Sequence, residues 1–253
     1  MLSDALRYPL ACEAAFADPS RRDARGRVAR SSSYQPPLEA VLQRAREIKG
    51  HALAVKIAPG LRVGPDSLRS WCEAPVELEY VSERGECKEA VIWCGDFARG
   101  HGARRASVTD ADGCHELDGP ADRAAVGALR RWLAEPDPAV IRAGLIGELC
   151  RRTGATLVDS DVAYMTADSP IASPFARWFE VVDSMPFGVK RVRATLRSKD
   201  FGKLTIKTRA FPLAPDEIAA LLKTHGEKAA LLVCTTFGGV KTAVICKPPA
   251  ART

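Results

Sequence analysis

The chain has 253 residues, 46% of them hydrophobic and 27% charged, with a formal net charge of +6. That is enough for one large or two modest hydrophobic cores, in the ordinary range for globular proteins. No apolar run reaches the length of a membrane-spanning helix. The first residues, MLSDALRYPLACEAAFADPS, lack a basic leader before their apolar positions, so they do not read as a secretory signal. The composition therefore points to the cytoplasm, with no membrane partner.

Taken in chain order, Glu13 to Ala17 is short and apolar enough for a strand, stopped by Asp18-Pro19. A polar loop follows, through Gly26, three serines and Pro36-Pro37. Leu38, Val41, Leu42, Ala45 and Ile48 then recur at helical spacing behind Pro37, with Gly50 as a stop. Ala52 to Ile57 is an apolar strand. Strand, loop, helix and strand make a parallel βαβ unit. Val76, Leu78 and Tyr80 alternate with Glu77 and Glu79, predicting a half-exposed strand, and Cys87 to Cys94 pairs with it as a hairpin. Arg105 to Thr109 and Cys114 to Leu117 predict a second hairpin.

From Ala121 the pattern predicts helix, with Leu129, Trp132 and Leu133 as its apolar face. EPDPAVIRAGLIGELCRRTG predicts a further helix, capped by Asp137, opened by Pro138 and ended by Gly154. Gly144 and Gly147 then fall mid-helix, where their use would be close packing. Thr156 to Pro174 reads as an irregular linker and a domain boundary. The last stretch predicts strand (176–182), helix (186–197), strand (203–209), helix (215–223), strand (229–236) and strand (240–247). Phe237-Gly238-Gly239 is the hairpin signal between the last two.

Charge is concentrated in this last stretch. Lys190 to Arg209 holds Lys190, Arg191, Arg193, Arg197, Lys199, Lys203, Lys207 and Arg209 against Asp200 alone, a net +7, so the rest of the chain sums to about −1. On the helix, Val189, Val192 and Leu196 form the apolar face and the cations fall largely elsewhere. On the strand, Lys203, Thr205, Lys207 and Arg209 share one parity and Leu204, Ile206 and Thr208 the other. Two neighbouring elements displaying cations with little compensating acid predict contact with RNA phosphates; the competing reading is a solvated charged face. Phe187, Phe201, Phe211 and Phe237 read as core before they read as base-stacking platforms.

The eight cysteines include no Cys-x-x-Cys pair and read as reduced, mostly buried small hydrophobes. Cys94, His101, Cys114 and His115 lack the close-spaced ligand pairs of a structural zinc site, so no metal is assigned. The four histidines have no nucleophile or paired carboxylate at a recognisable spacing.

Asp18-Pro19-Ser20-Arg21-Arg22 directly follows an apolar strand, and open α/β sheets bind ligands beyond the carboxyl ends of their strands. A carboxylate there can orient an amine or hydroxyl, and arginines such as Arg21 and Arg22 can hold phosphate. A solvated turn capped by Asp18 is the plainer reading of the local pattern. The segments AAFADPSRRDARGR, SYQPPLEAVL, AVKIAPGL, GECKEAVIW, EPDPAVIRAG, MPFGVKRVRATL and KTRAFPLAPDEIAALL together resemble the bacterial class I S-adenosylmethionine-dependent methyltransferases that carry a C-terminal THUMP-like domain. The resemblance implies an α/β fold in three parts. Residues 1–120 would be the C-terminal half of a Rossmann-type sheet, with parallel strands 4 and 5 and an antiparallel end of strands 6 and 7. Residues 121–174 would be a helical or ferredoxin-like connector. Residues 175–253 would be a two-layer βαβαββ THUMP-like domain binding RNA, either rRNA or tRNA. It implies that Asp18 and Pro19 border the methyl acceptor.

The chain departs from that family in one respect. The 17 residues before Asp18 contain no glycine, and no Gly-x-Gly-x-x-Gly follows a strand elsewhere. The expectation is that the cofactor-binding half is absent, so that this chain binds no S-adenosylmethionine alone. An apolar strand at Glu13 to Ala17 would then be an open edge, inviting self-association or a partner strand. The rival readings are an RNA-binding module without chemistry, one part of a split methyltransferase, and an assembly protein that pairs through its sheet edge.

Overall fold

In a computed structural model of the chain, residues 4, 6–20, 22, 23, 26, 27 and 34–248 are described. The chain divides into two compact units: Met1–Asp122 with Asp137–Glu148, and Arg123–Pro136 with Leu149–Thr253. Among the described residues no helix is long and apolar enough to cross a membrane.

The first unit contains β1 (Ala15–Ala17), the short pair β2 (Arg22–Asp23) and β3 (Gly26–Arg27), α1 (Leu38–Gln43), β4 (Leu53–Ile57), α2 (Pro65–Trp71), β5 (Val76–Glu83), β6 (Glu86–Cys94), β7 (Arg104–Asp110) and β8 (Gly113–Asp118). Its six-stranded sheet runs β1-β4-β6-β5-β7-β8. β1 and β4 are parallel, with Phe16 opposite Ala54. β6 runs antiparallel to both β4 and β5, so the hairpin turns back into the sheet. β4 is buried except at Lys56, as befits a strand covered on both faces. The helix predicted to Ile48 ends at Gln43 and continues as two 3-10 turns, Arg44–Glu47 and Lys49–His51.

β5 is not half-exposed. Glu77 and Glu79 are 1% and 8% exposed, because Arg105 of β7 reaches both, at 3.1 Å and 3.0 Å. The Trp93 indole N–H and the Arg99 backbone N–H donate to Glu79 and Glu77. The alternation marked the two faces correctly, but the polar face is closed by a charged network rather than by water.

The predicted helix from Ala121 is absent. Trp132 to Pro136 is instead a strand, β9 (Trp132–Pro136), in the second unit. Asp137 then caps α3 (Pro138–Ala143) as predicted, its carboxylate accepting from the Ala139 N–H at 2.8 Å. The long helix expected there is two. Gly144 sits in the left-handed region (φ 74°) as the C-cap of α3, and the Leu145 N–H returns to the Val140 carbonyl. α4 (Ile146–Thr153) follows.

The expected linker from Thr156 to Pro174 is also largely ordered, as the hairpin β10 (Thr156–Asp159) and β11 (Val162–Ala167). The remaining elements match their predicted order: β12 (Ala176–Pro186), α5 (Val189–Ser198), β13 (Phe201–Thr208), α6 (Pro215–Leu222), β14 (Lys228–Phe237) and β15 (Val240–Cys246). The seven strands of this unit run β10-β11-β9-β12-β15-β14-β13. β12 pairs β9 with its first half and β15 with its second, with an irregularity between Val181 and Asp183. Both faces of the β12–β15 sheet are therefore covered. On one, α5 and α6 pack Val192, Leu196, Ile218 and Leu222 onto Leu232 and Ile245. On the other, Tyr164, Leu133 and Phe179 pack onto Leu231, Val233 and Val244.

Candidate functional site

Asp18 lies just past the carboxyl end of β1, beside the parallel end of β4. It is exposed, and Pro19 after it is buried. The segment returns to the body of the unit through paired backbone bonds between Ser20 and Gln35, at 2.9 Å and 3.0 Å. The buried Tyr34 hydroxyl accepts from the Ala58 N–H, tying this loop to the one after β4. Lys56 places its ammonium 3.6 Å from the Asp18 carboxylate and 3.1 Å from that of Glu89. The hydrogen bond and charge of Glu89, and then the charge of Asp18, hold the Lys56 amine above its ordinary range. It thus stays cationic beside Asp18 at neutral pH. Arg21 lies outside the described residues, and of Arg22 only the backbone, in β2, is described.

Next to this loop is a cavity of about 270 Å³, lined by Asp18, Pro19, Phe16, Leu10, Val41 and Leu53 among others. β1 is the edge of its sheet, and Phe16 is 65% exposed there. Arg44 secures the preceding segment by donating to the carbonyls of Leu6 and Tyr8. Sequence reasoning missed Lys56 and Glu89. The one available signal was a lysine inside an otherwise apolar strand.

In the second unit the eight cations of the basic segment divide. Lys190, Arg191 and Arg197 lie on the exposed face of α5, and Lys199 follows at its C-cap. Among the described residues these four form no ion pair. Arg193 instead donates from Nε to the Leu222 carbonyl (2.8 Å) and from Nη2 to that of Leu221. The strand cations point to the opposite face of the sheet. Lys207 pairs with Glu135 of β9 and Arg209 lies 3.7 Å from the same carboxylate. Arg209 also donates to the Ala163 carbonyl and stands 5.1 Å over the Tyr164 ring. Lys203 meets Glu227 at 3.7 Å in an exposed pair. The helix and strand cations are thus not one continuous face.

The four phenylalanines of this segment pack against the cores: Phe187 and Phe211 stack edge-on at 5.0 Å, Phe201 packs against the helix-side cluster and Phe237 against the other. Five cysteines are buried, and Cys12 and Cys114 are exposed. Burial pushes the Cys234 and Cys246 thiols up to about 12. Among the described residues no three His, Cys, Asp or Glu side chains converge as a metal set.

Residues 176–248, β12 through the end of β15, match the family model described as THUMP domain-like. This segment is THUMP-like. Two uncharacterised S-adenosylmethionine-dependent methyltransferases of Mycobacterium tuberculosis, from strains CDC 1551 and H37Rv, are each 32% identical to the chain over 238 residues. The alignment covers 91% of this chain and 63% of each relative. The chain is thus similar to these two relatives over most of its own length and spans less than two thirds of theirs. The crystal structure of a provisionally assigned methyltransferase from Porphyromonas gingivalis W83 superposes with a TM-score of 0.73 at 19% identity, over 94% of this chain and 60% of that one. At that identity the likeness is one of fold, an α/β architecture with parallel and antiparallel strands.

Proposed function

We propose that the chain forms the acceptor-side and RNA-binding part of an S-adenosylmethionine-dependent RNA methyltransferase. Residues 1–120 are read as the C-terminal half of the methyltransferase sheet and 175–253 as the THUMP-like domain that grips rRNA or tRNA. Residues 121–174 are read as the connector, with β9 in place of the helix expected from Ala121, α3 and α4 in place of one long helix, and β10 and β11 in place of the irregular linker. The observation that carries this reading is the strand order β1-β4-β6-β5: two parallel strands at an open edge, then an antiparallel pair, with Asp18-Pro19 at the carboxyl end of the edge strand.

In this reading the exposed Asp18 carboxylate accepts a hydrogen bond from an amine or hydroxyl of the acceptor nucleotide. Lys56, held by Glu89, orients that carboxylate, and buried Pro19 fixes the turn. The described residues do not fit S-adenosylmethionine itself. Its methionine moiety needs backbone N–H donors that approach closely. Pro19, at the carboxyl end of β1, has no N–H to offer. No transfer step is assigned to these residues, and the cradle belongs to polypeptide outside them. The open edge of β1, with Phe16 exposed, is read as the place where a strand of a second chain pairs.

Two titrations test the reading. Calorimetry with S-adenosylmethionine is expected to give no heat of binding. Anisotropy with a labelled tRNA is expected to show saturable, salt-sensitive binding, with an rRNA fragment as the second substrate. Measurable cofactor affinity would overturn the placement of the cradle. Failure to bind either RNA would overturn the role of the THUMP-like domain.

A further inference from the structure

At the ends of α5 and α6, Arg193, Arg197, Phe201, Lys223, Thr224 and His225 line a shallow pocket open to solvent. No carboxylate lines it. Among the described residues, the side chains of Arg197, Lys223 and His225 form no hydrogen bond or ion pair. Its walls are the end of α5 with the start of β13 on one side and the loop after α6 on the other, and the segments 200–202 and 224–228 are locked together. Thr224 Oγ1 donates to the Gly202 carbonyl (3.1 Å), and the Glu227 and Lys228 N–H groups donate to Asp200 (3.2 Å and 2.9 Å). A Cβ on Gly202 would stand 2.2 Å from the Gly226 nitrogen, so only glycines let the two walls pass this closely.

Two helix C-termini converge here, and their partial negative charge opposes an anion. Arg193 answers this by donating to the last two carbonyls of α6. That leaves Arg197 and Lys223 without a capping task. Lys223 moreover occupies the left-handed region (φ 44°, ψ 57°), where glycine carries no Cβ penalty. Its side chain pairs with no acid among the described residues.

We propose that this pocket binds a phosphate group of the RNA, with Arg197 and Lys223 as its charged contacts, His225 as a further donor and Arg193 as a positioning residue. The proposal rests on the RNA-binding reading given above. The bound group is either a terminal phosphomonoester or an internal phosphodiester.

The test combines amide NMR with RNA binding. Inorganic phosphate is expected to shift the amides of 197–202 and 223–226. Lys223→Gly is expected to leave the urea midpoint equal to or above that of the native protein. The same variant is expected to lower the salt slope of RNA binding by roughly 0.7 to 0.9, and the affinity about four- to sixfold at physiological salt, as losing one phosphate contact does. A terminally phosphorylated oligonucleotide that binds tighter than its hydroxyl form, with the preference lost in Lys223→Gly, assigns the monoester. Equal binding of the two, with the slope still lowered by the variant, assigns the diester. Unshifted amides, or an unchanged slope in the variant while the native chain binds RNA, overturns the pocket. A native chain that binds no RNA overturns the broader reading and this proposal with it.

Discussion

Removing the free cations of α5 is the sharpest test of the proposed RNA contact. Lys190 and Arg191 lie exposed on its outer face, Lys199 follows at the C-cap, and none of the three has an ion pair among the described residues. Replacing all three by Gln keeps good helix formers on the helix and buries nothing new. Each phosphate contact contributes about 0.7 to the salt slope on single-stranded RNA and about 0.9 on a duplex. Three lost contacts should therefore lower the slope by roughly 2 to 3, and the affinity at physiological salt by roughly 50- to 170-fold. Arg197 is left in place because it also lines the pocket. The assay is anisotropy with one labelled RNA at four or more salt concentrations. Lys207→Met is the control: its partner is Glu135, so RNA binding should hold while stability falls. A triple variant with the native slope would refute the assignment, as would a Lys207→Met variant that loses as much as the triple.

Arg105→Ala should destabilise the first unit by about 3–5 kcal/mol, because Glu77 and Glu79 would be left buried without their partner. Hydrogen exchange should rise in β5 and β7 but not in β14, and adding Glu77→Gln and Glu79→Gln to Arg105→Met should restore most of the loss; a cost under about 1 kcal/mol would show that the network is incidental. At the open edge, burying Phe16 against a second copy is worth about 1.5–3 kcal/mol, so Phe16→Lys should weaken self-association roughly ten- to hundredfold by light scattering. A native chain whose mass is that of a monomer at every concentration would refute the edge contact.

Local signals carried the elements of the THUMP-like segment. Gly238-Gly239 forms the hairpin turn, and Pro215 opens α6. Leu204 and Ile206 alternate toward the core as read. The misreadings have a common cause in partners distant along the chain. Leu129, Trp132 and Leu133 fit helical spacing, but Trp132 and Leu133 sit in a strand between β11 and β12, opposite Ala167 and Thr166 on one side and Glu180 and Phe179 on the other. Spacing within a short window cannot reveal such pairing. Glu77 and Glu79 looked solvated because nothing near them in sequence announces Arg105 of another strand. Asp18 was legible because a strand end is a local event, whereas Lys56 and Glu89 reach it from β4 and β6.

The same reasoning separates cations neutralised by the fold from those left open to solvent in the basic segment. β13 turns Lys207 and Arg209 toward the sheet face that β9 and β11 cover, where both are only about one third exposed. Partial desolvation there makes a carboxylate partner necessary, and Glu135, 72 residues earlier than Lys207, supplies it. α5 lies on the other face with its outer side in water, so its cations need no partner. A cation already neutralised by the fold displaces few counterions when RNA arrives. The salt slope from this segment is therefore bounded by Lys190, Arg191, Arg197, Lys199 and the weakly paired Lys203, not by the net +7 of the sequence. A slope much beyond about 4 would require cations from elsewhere in the chain, with Lys223 the first to examine.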